Sequence, residues 1–429
     1  MNKKFYTFVA ILASVFAGIV PAMGQQFGPV NDTIYMGAGY ANEIYYSMAA
    51  GNKGAVARNQ WDIAFRANIM SASIITNDGS GVELYSYPKA TNSGWATVDT
   101  AGLSTWTKMV NSINDWEEGA FCRNQKGHPD YGWGKYNDVT HNLTGDSLFI
   151  IKLRDGSFRK LWIVRKLSSL NTYDFRFANL DGTSDNTVTL DCNPYSLKNF
   201  IGYSLITNQA VDFEPVVSAQ WDLLFTKYMY TYPASSATPG VLYGVTGALS
   251  NYKVKVKKYT EVVTGFPAID PHSMDSTRAP IGHDWKVFNN GYSVIDPLVY
   301  FVQDKSGKLY KLIFKEFVGS STGRIVFQKE VFSTTGLDKV EEASGFNVAV
   351  YPNPVSDVMN LMVNPGKSKF VLVSLFDLSG RSVLNKKYDL QSGQLSTLQV
   401  PVTELPSGMY TVKIQNGSNV ISRKVVVNN

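Results

Sequence analysis

The sequence predicts an all-β protein with a minor helical part: two homologous β modules followed by a small immunoglobulin-like β-sandwich. Three observations predict it. Aromatic residues make up 13% of the 429 residues and include 24 Tyr. They fall in short runs that alternate apolar and polar positions, as half-buried strands do. Next, Gln60-Trp61-Asp62-Ile63-Ala64-Phe65 is echoed by Gln220-Trp221-Asp222-Leu223-Leu224-Phe225. In each copy the Trp, the aliphatic residue two on and the Phe share one strand face, and the Asp points the other way. Finally, two further echoes keep the same order at nearly constant offset: residues 133–137 with 285–289, and 156–161 with 307–312. Ordered echoes of this kind mark a duplicated unit. They place Trp61 over Trp221, both buried, and Lys160 over Lys311.

Composition bounds the function. A chain 44% hydrophobic and 17% charged is not wholly disordered. The net charge of +5 is too mild to imply nucleic acid. Residues 1–24 read as a secretory leader, with Lys3 and Lys4 ahead of an apolar run and Ala22-Met23-Gly24 as the cleavage site. That run is too short for a transmembrane anchor, and no later stretch approaches spanning length. Cys122 and Cys192 enter an oxidising compartment. They are either bridged, which would add about 4 kcal/mol in the chain-entropy picture, or two separate buried thiols.

Taken in order, module one covers residues 25–191. Residues 31–48 read as short strands broken by Gly37 and Gly39, and 61–65 as the core strand. Residues 74–87 turn at 77–81. Leu103, Trp106, Val110 and Ile113 have near-helical spacing, so 103–116 is the helix candidate. Residues 149–164 form a hairpin turning at Asp155-Gly156, and 174–180 one more strand. Module two covers 192–333 and repeats the order, with a hairpin at 299–317 and a closing strand at 324–332. A polar linker, 334–347, separates it from the tail at 348–429. Strands and turns alternate there every 8 to 12 residues or so, as in a sandwich.

The tail opens with Tyr351-Pro352-Asn353-Pro354. It continues through Leu375-Phe376-Asp377-Leu378-Ser379-Gly380-Arg381 and Leu405-Pro406-Ser407-Gly408-Met409-Tyr410, and ends on Arg423-Lys424-Val425-Val426-Val427. It resembles the C-terminal sorting domain of type IX secretion cargo in the Bacteroidetes. The resemblance implies partnership with the type IX machinery and export across the outer membrane. It also implies tail removal within 335–345, with release or attachment to lipopolysaccharide. Tyr351, Pro352, Asn353, Pro354, Asp377, Gly380, Gly408, Tyr410 and Lys424 carry the signal. Both modules resemble the HmuY-like family through WDIAF with residues 76–81, and through QWDLLFTKYM, residues 281–285 and 300–314. That family includes haem-binding proteins and often has a ligating histidine just after the WDIAF motif. Arg66 and Thr226 stand there instead, so the resemblance leaves Arg66 to pair a porphyrin propionate.

No motif requires a cofactor, and haem is the one the resemblance suggests. Of four histidines, His128 and His141 share one loop region and are the remaining candidates for iron, although solvated loop histidines are the plainer reading. Met48, Met70 and Met229 read as core residues. The absence of HExxH and Cys-x-x-Cys patterns leaves no zinc signal. Gly319-Ser320-Ser321-Thr322-Gly323 fits G-x-S-x-G but sits between strands, whereas a nucleophile elbow joins strand to helix. The expectation is a non-enzymatic secreted or surface binding protein. The rival readings are an adhesin or spacer and, further off, a glycan-degrading enzyme.

Overall fold

The computed structural model describes residues 29–234, 240–260, 273–332, 346–365, 368–392, 394, 396–417 and 419–428. The expected leader, the expected cut and most of the expected linker lie outside them. Phe346 and Asn347, expected in the linker, already open a strand.

Chain order begins with β1 (Val30–Tyr35), β2 (Asn42–Ser47) and β3 (Gly51–Ala57). The next twelve strands are β4 (Ile63–Arg66), β5 (Ile74–Thr76), β6 (Glu83–Ser86), β7 (Lys108–Met109), β8 (Gly134–Tyr136), β9 (Leu143–Gly145), β10 (Phe149–Lys152), β11 (Phe158–Leu167), β12 (Thr172–Asn179), β13 (Asn186–Asp191), β14 (Phe200–Ser204) and β15 (Gln209–Val211). Then come β16 (Leu223–Tyr232), β17 (Val241–Ser250), β18 (Lys255–Tyr259), β19 (Lys286–Phe288), β20 (Tyr292–Val294), β21 (Val299–Gln303), β22 (Leu309–Phe317) and β23 (Arg324–Val331).

Strand pairing shows the duplication directly. One half holds a sheet ordered β15-β14-β4-β5 and an eight-stranded sheet with the path β13-β12-β11-β10-β6-β7, in which β7, β8 and β9 are additions to the shared order. The other half holds β3-β2-β16-β17 and β1-β23-β22-β21-β18. The orders match strand for strand once β1, β2 and β3 take the places of β13, β14 and β15. The N-terminal strands therefore complete the second repeat, and β14 and β15 complete the first. Ile34, Ile44, Tyr46 and Met48 pack with Leu223, Phe225 and Phe327, while Ile201, Tyr203 and Leu205 pack with Ile63, Phe65 and Phe149.

This corrects the expected boundary at 191/192 and the idea of two contiguous modules. β23 is likewise no closing edge, because β1 pairs along it from Val30↔Lys329 to Tyr35↔Arg324. The physical reason is that an open sheet edge leaves a row of unpaired N–H and C=O groups. Pairing the first strand with the last removes it.

Local details recur as well. Asp62 N donates to Tyr203 O at 2.9 Å and Asp222 N to Tyr46 O at 2.8 Å. Asp62 Oδ2 accepts from Leu205 N at 2.8 Å and Asp222 Oδ2 from Met48 N at 2.7 Å. Asn77 and Asn251 side-chain amides donate to Trp61 O and Trp221 O. Matching bulges break register at Ile163/Arg165 and Phe314/Glu316. Trp61 and Trp221 are both buried.

The helix candidate fails. Leu103–Thr105 is a single 3-10 turn, and Lys108–Met109 is a strand. Asn111 explains part of it. Its side chain accepts from Thr76 N and Ala120 N and donates to Thr76 O, so it serves neighbouring backbone in place of a helix. Cys122 and Cys192 are free buried thiols in one core cluster, not a disulfide. Burial pushes each thiol up to about 12.

The tail is a sandwich. β24 (Phe346–Tyr351), β25 (Val358–Pro365) and β28 (Ser396–Pro401) face β26 (Phe370–Phe376), β27 (Ser382–Asp389), β29 (Gly408–Asn416) and β30 (Asn419–Val427) across a core of its own.

Candidate functional site

The first repeat carries an open groove of about 410 Å³ lined by Ile69, Met70, Tyr131, Tyr136, His141 and Lys166, among others. One wall is the segment joining β4 to β5. Buried Lys166, on β11, shapes it: Nζ donates to Asn68 O at 3.1 Å, Ile69 O at 3.2 Å and also to Ser71 O. Tyr173 Oη donates to Ser71 O at 3.1 Å, and Asn171 Nδ2 to Ala67 O at 3.0 Å. Desolvation lowers Lys166 to about 8. The clamped segment presents Met70 at 90% exposure, so this methionine is no core residue, unlike buried Met48.

The opposite wall comes from β8 and the turn after it. Asn137 Oδ1 accepts from Val139 N and Thr140 N, which fixes that turn. Tyr136 Oη and His141 Nδ1 lie 2.7 Å apart, and the Tyr131 and Tyr136 rings 6.0 Å. The groove thus offers aromatic faces, exposed apolar atoms and a hydroxyl–imidazole pair.

The candidate residues named from sequence are only partly brought together. His141 lines the groove. His128 does not; it packs on Tyr136 at 5.5 Å, and its Nε2 meets Asp138 Oδ1 at 3.1 Å. Arg66 is buried elsewhere. Its Nε donates to Glu117 Oε1 at 3.0 Å and its Nη1 to Asn199 Oδ1 at 3.0 Å, and the guanidinium lies 5.3 Å from the Phe200 and Tyr252 rings. The propionate role expected for Arg66 is therefore corrected: this cation is already paired inside the fold. Thr226 Oγ1 donates to Glu43 Oε2. His272 lies outside the described residues. Sequence reading did not flag Tyr131, Tyr136 or Lys166; the Tyr-rich stretch around Trp133 was the available signal.

A second exposed aromatic face occupies the outer half of the β16–β17 hairpin, which outgrows its β4–β5 counterpart. Tyr228, Tyr230 and Tyr232 alternate along β16, and Tyr243 lies opposite Tyr230. His283 sits among them, Nδ1 3.3 Å from Tyr228 Oη and Nε2 3.0 Å from Tyr232 Oη. Burial, then Lys286, hold His283 below the usual imidazole value, which favours its neutral form. Tyr232, Val241 and Tyr243 are exposed.

In the tail, Asp377 Oδ1 accepts from Ser379 N, Ser379 Oγ and Arg381 N, and Gly380 takes φ +82°. Asn353 spans to the last strand: Nδ2 donates to Lys424 O at 3.1 Å and Oδ1 accepts from Val426 N at 2.9 Å. Pro352 and Pro354 flank it and are exposed. Tyr410 is buried, with Oη donating to Pro406 O at 2.8 Å. Gly408 starts β29. Tyr351 ends β24, and Lys424 is exposed opposite Thr411.

Residues 349–428 match the family described as the secretion system C-terminal sorting domain. The tail is thus a type IX sorting domain, and the chain is addressed to the cell surface or beyond it. No helix among the described residues is long and apolar enough to cross a membrane. A funoran endo-beta-hydrolase of Wenyingzhuangia aestuarii is 31% identical over 180 residues, covering 41% of this chain and 22% of that protein. The chain therefore matches about a fifth of that relative's length. Among solved structures, PorZ of Porphyromonas gingivalis, described as an essential surface component of its type-IX secretion system, is 12% identical. That match covers 68% of this chain and 44% of that one at a TM-score of 0.15. Dimeric latent PorU from the same organism is 10% identical, covering 81% and 34% at a TM-score of 0.18. Scores this low carry no structural argument.

Proposed function

We propose that this chain is a non-catalytic binding protein, exported by type IX secretion, that holds a small amphipathic or aromatic ligand in the groove of its first repeat. The observation that carries the reading is the clamped groove: two tyrosines and His141 on one side, exposed Ile69 and Met70 on the other. Binding sites of this size combine apolar lining with a few fixed polar groups. A mere spacer has no need to hold Met70 out at the surface on three Lys166 hydrogen bonds. The HmuY-like reading of the repeats belongs to the same proposal, as does lipopolysaccharide attachment after tail removal.

Haem fits this groove only in part. His141 and Met70 are among its lining residues, and either type can ligate iron. Among the described residues no second imidazole lines it, so bis-histidine ligation is not proposed. Asp115, Glu117 and Glu118 cluster beside Trp116 in the sequence, and two of them are engaged in ion pairs. Glu117 is bound to Arg66 and Ser71, and Glu118 to Arg123.

A second reading is carbohydrate binding. The 180-residue likeness to the funoran endo-beta-hydrolase is more than twice as long as the 80-residue tail match, so part of it falls on the repeats. The Tyr230, Tyr232 and Tyr243 face offers exposed aromatic rings on which sugars can pack, with Tyr230 and Tyr232 edge to face at 5.0 Å. The test is titration of tail-less protein with hemin, a hydrophobic fluorophore and a panel of funoran oligosaccharides, for wild type and for Tyr136→Ala with Met70→Ala. The proposal expects saturable binding of one of the first two that the paired substitutions weaken at least tenfold. Oligosaccharide binding untouched by those substitutions would shift the assignment to the second reading, and turnover of any oligosaccharide would overturn the non-catalytic one.

A further inference from the structure

A polar chamber lies where the two repeats meet. Trp61 and Thr76 of the first repeat, Glu43, Trp221 and Arg278 of the second, and Glu214 just after β15 are among its lining residues. Its volume is about 40 Å³, room for about three water molecules. Four buried polar atoms of its lining residues have no hydrogen-bond partner among the described residues: Trp61 Nε1, Thr76 Oγ1, Trp221 Nε1 and Arg278 Nε, of which Trp221 acts on Glu214. Buried donors are rarely left unpaired, because desolvation without a new bond is unfavourable.

Two buried carboxylates reach the same chamber. Glu43 accepts from Thr226 Oγ1 at 3.1 Å. Glu214 accepts from Asn199 N at 3.1 Å and Phe200 N at 3.0 Å. Glu43 feels the charge of Glu214. The cations acting on them are Arg58 and Arg278 for Glu43, and Arg66 and Lys305 for Glu214. Tyr45 faces both, and Asp78 faces Arg278. Lys227, which Arg58 repels, completes the charged lining.

We propose that the joint between the repeats is a hydrated, proton-binding site, in which ordered waters link Trp61 Nε1, Thr76 Oγ1 and Arg278 Nε to the Glu43 and Glu214 carboxylates and the carboxylate pair retains a proton. Two acids on one small chamber do not ionise together as readily as two acids in water. Burial raises both Glu43 and Glu214 to about 7 and Asp78 to about 6. The folded values lie above the unfolded ones, so the folded state binds protons more tightly. That contribution is full below the ordinary carboxylate range and is lost as pH rises through about 7. The joint is tight at mildly acid pH and loosens on the alkaline side.

The test uses full-length protein. All eight Trp precede the tail, so tryptophan fluorescence reports the repeats alone. Wild type, Glu43→Gln, Glu214→Gln and the double variant are melted at pH 5.5 and 8.5. The expected result is a wild-type Tm several degrees lower at pH 8.5, with at least half of that shift removed in the double variant. An unchanged pH shift in the double variant overturns the proton pair. If the variants do not fold, a crystal structure of wild type near 1.5 Å resolution decides the matter. Waters bonded to Trp61 Nε1, Thr76 Oγ1 and Arg278 Nε support the site, and a dry chamber refutes it.

Discussion

Tyr46 is the sharpest probe of how the chain closes. It lies on β2, near the N-terminus, yet its ring is fully buried in the second repeat. The ring meets Phe225 edge-on at 6.1 Å and Phe327 at 5.1 Å, and its hydroxyl donates to Asp32 Oδ2 at 2.6 Å. Truncating a buried aromatic side chain to Ala typically costs about 3–5 kcal/mol. Losing a hydrogen bond to a charged acceptor adds about 1.5–3 kcal/mol. Tyr46→Ala should therefore destabilise by about 5 kcal/mol or more, and Tyr46→Phe by about 1.5–3 kcal/mol. A loss of that size rivals the whole stability of a typical domain, about 5–15 kcal/mol. Hydrogen exchange read by mass spectrometry locates it. Tyr46→Ala should strip protection from β16, β22 and β23 while β10, β11 and β12 stay protected. Protection lost from β10 to β12 and kept in β21 to β23 would refute the closure and restore contiguous modules.

Three further outcomes follow from particular residues. Lys166→Met removes the shared donor of three carbonyls of residues 68–71; Ser71 O keeps Tyr173 Oη and Asn68 O keeps Ser71 N, so the loss centres on Ile69 O and should be about 1–3 kcal/mol before the gain from no longer burying an ammonium. It should speed exchange at residues 67–73 and weaken ligand binding, and an unaltered exchange pattern there would count against the clamp. Cys122 and Cys192 should resist maleimide at pH 8 in native protein and react in guanidinium, since burial holds both thiols up to about 12; labelling of native protein, or a mass showing a bridge, would go against this. Truncation before Leu337 should leave the chain in the periplasm with the repeats folded, because the tail packs a separate core; surface delivery of that truncation would remove the sorting role.

Much of the fold was legible where local pattern decides. The Trp61 and Trp221 echoes, the turns at Gly156 and Gly307, and the tail motifs depend on period-two alternation or on glycine at positive φ, and the strands stand where those signals put them. The closure was not legible, because β1 to β3 meet their partners across most of the chain and no local signal encodes so distant a pairing. The helix expected at 103–116 shows the complementary failure. Apolar spacing fitted a helix, but Asn111 found better partners in Thr76 and Ala120. In the site, His141 was legible as a residue type, whereas its bond to Tyr136 depends on how the turn at 137–142 folds back. Arg66 looked available only because Glu117 and Asn199, which engage it, are remote in sequence.

The measurement that bears most directly on the functional account is a crystal structure of the tail-less protein grown with whichever titrated ligand binds most tightly. The account predicts ligand density in the first-repeat groove, against Tyr131, Tyr136 and Met70, with the Lys166-held segment in place. Ligand density on the Tyr232 and Tyr243 face alone, with that groove filled by solvent, would contradict it.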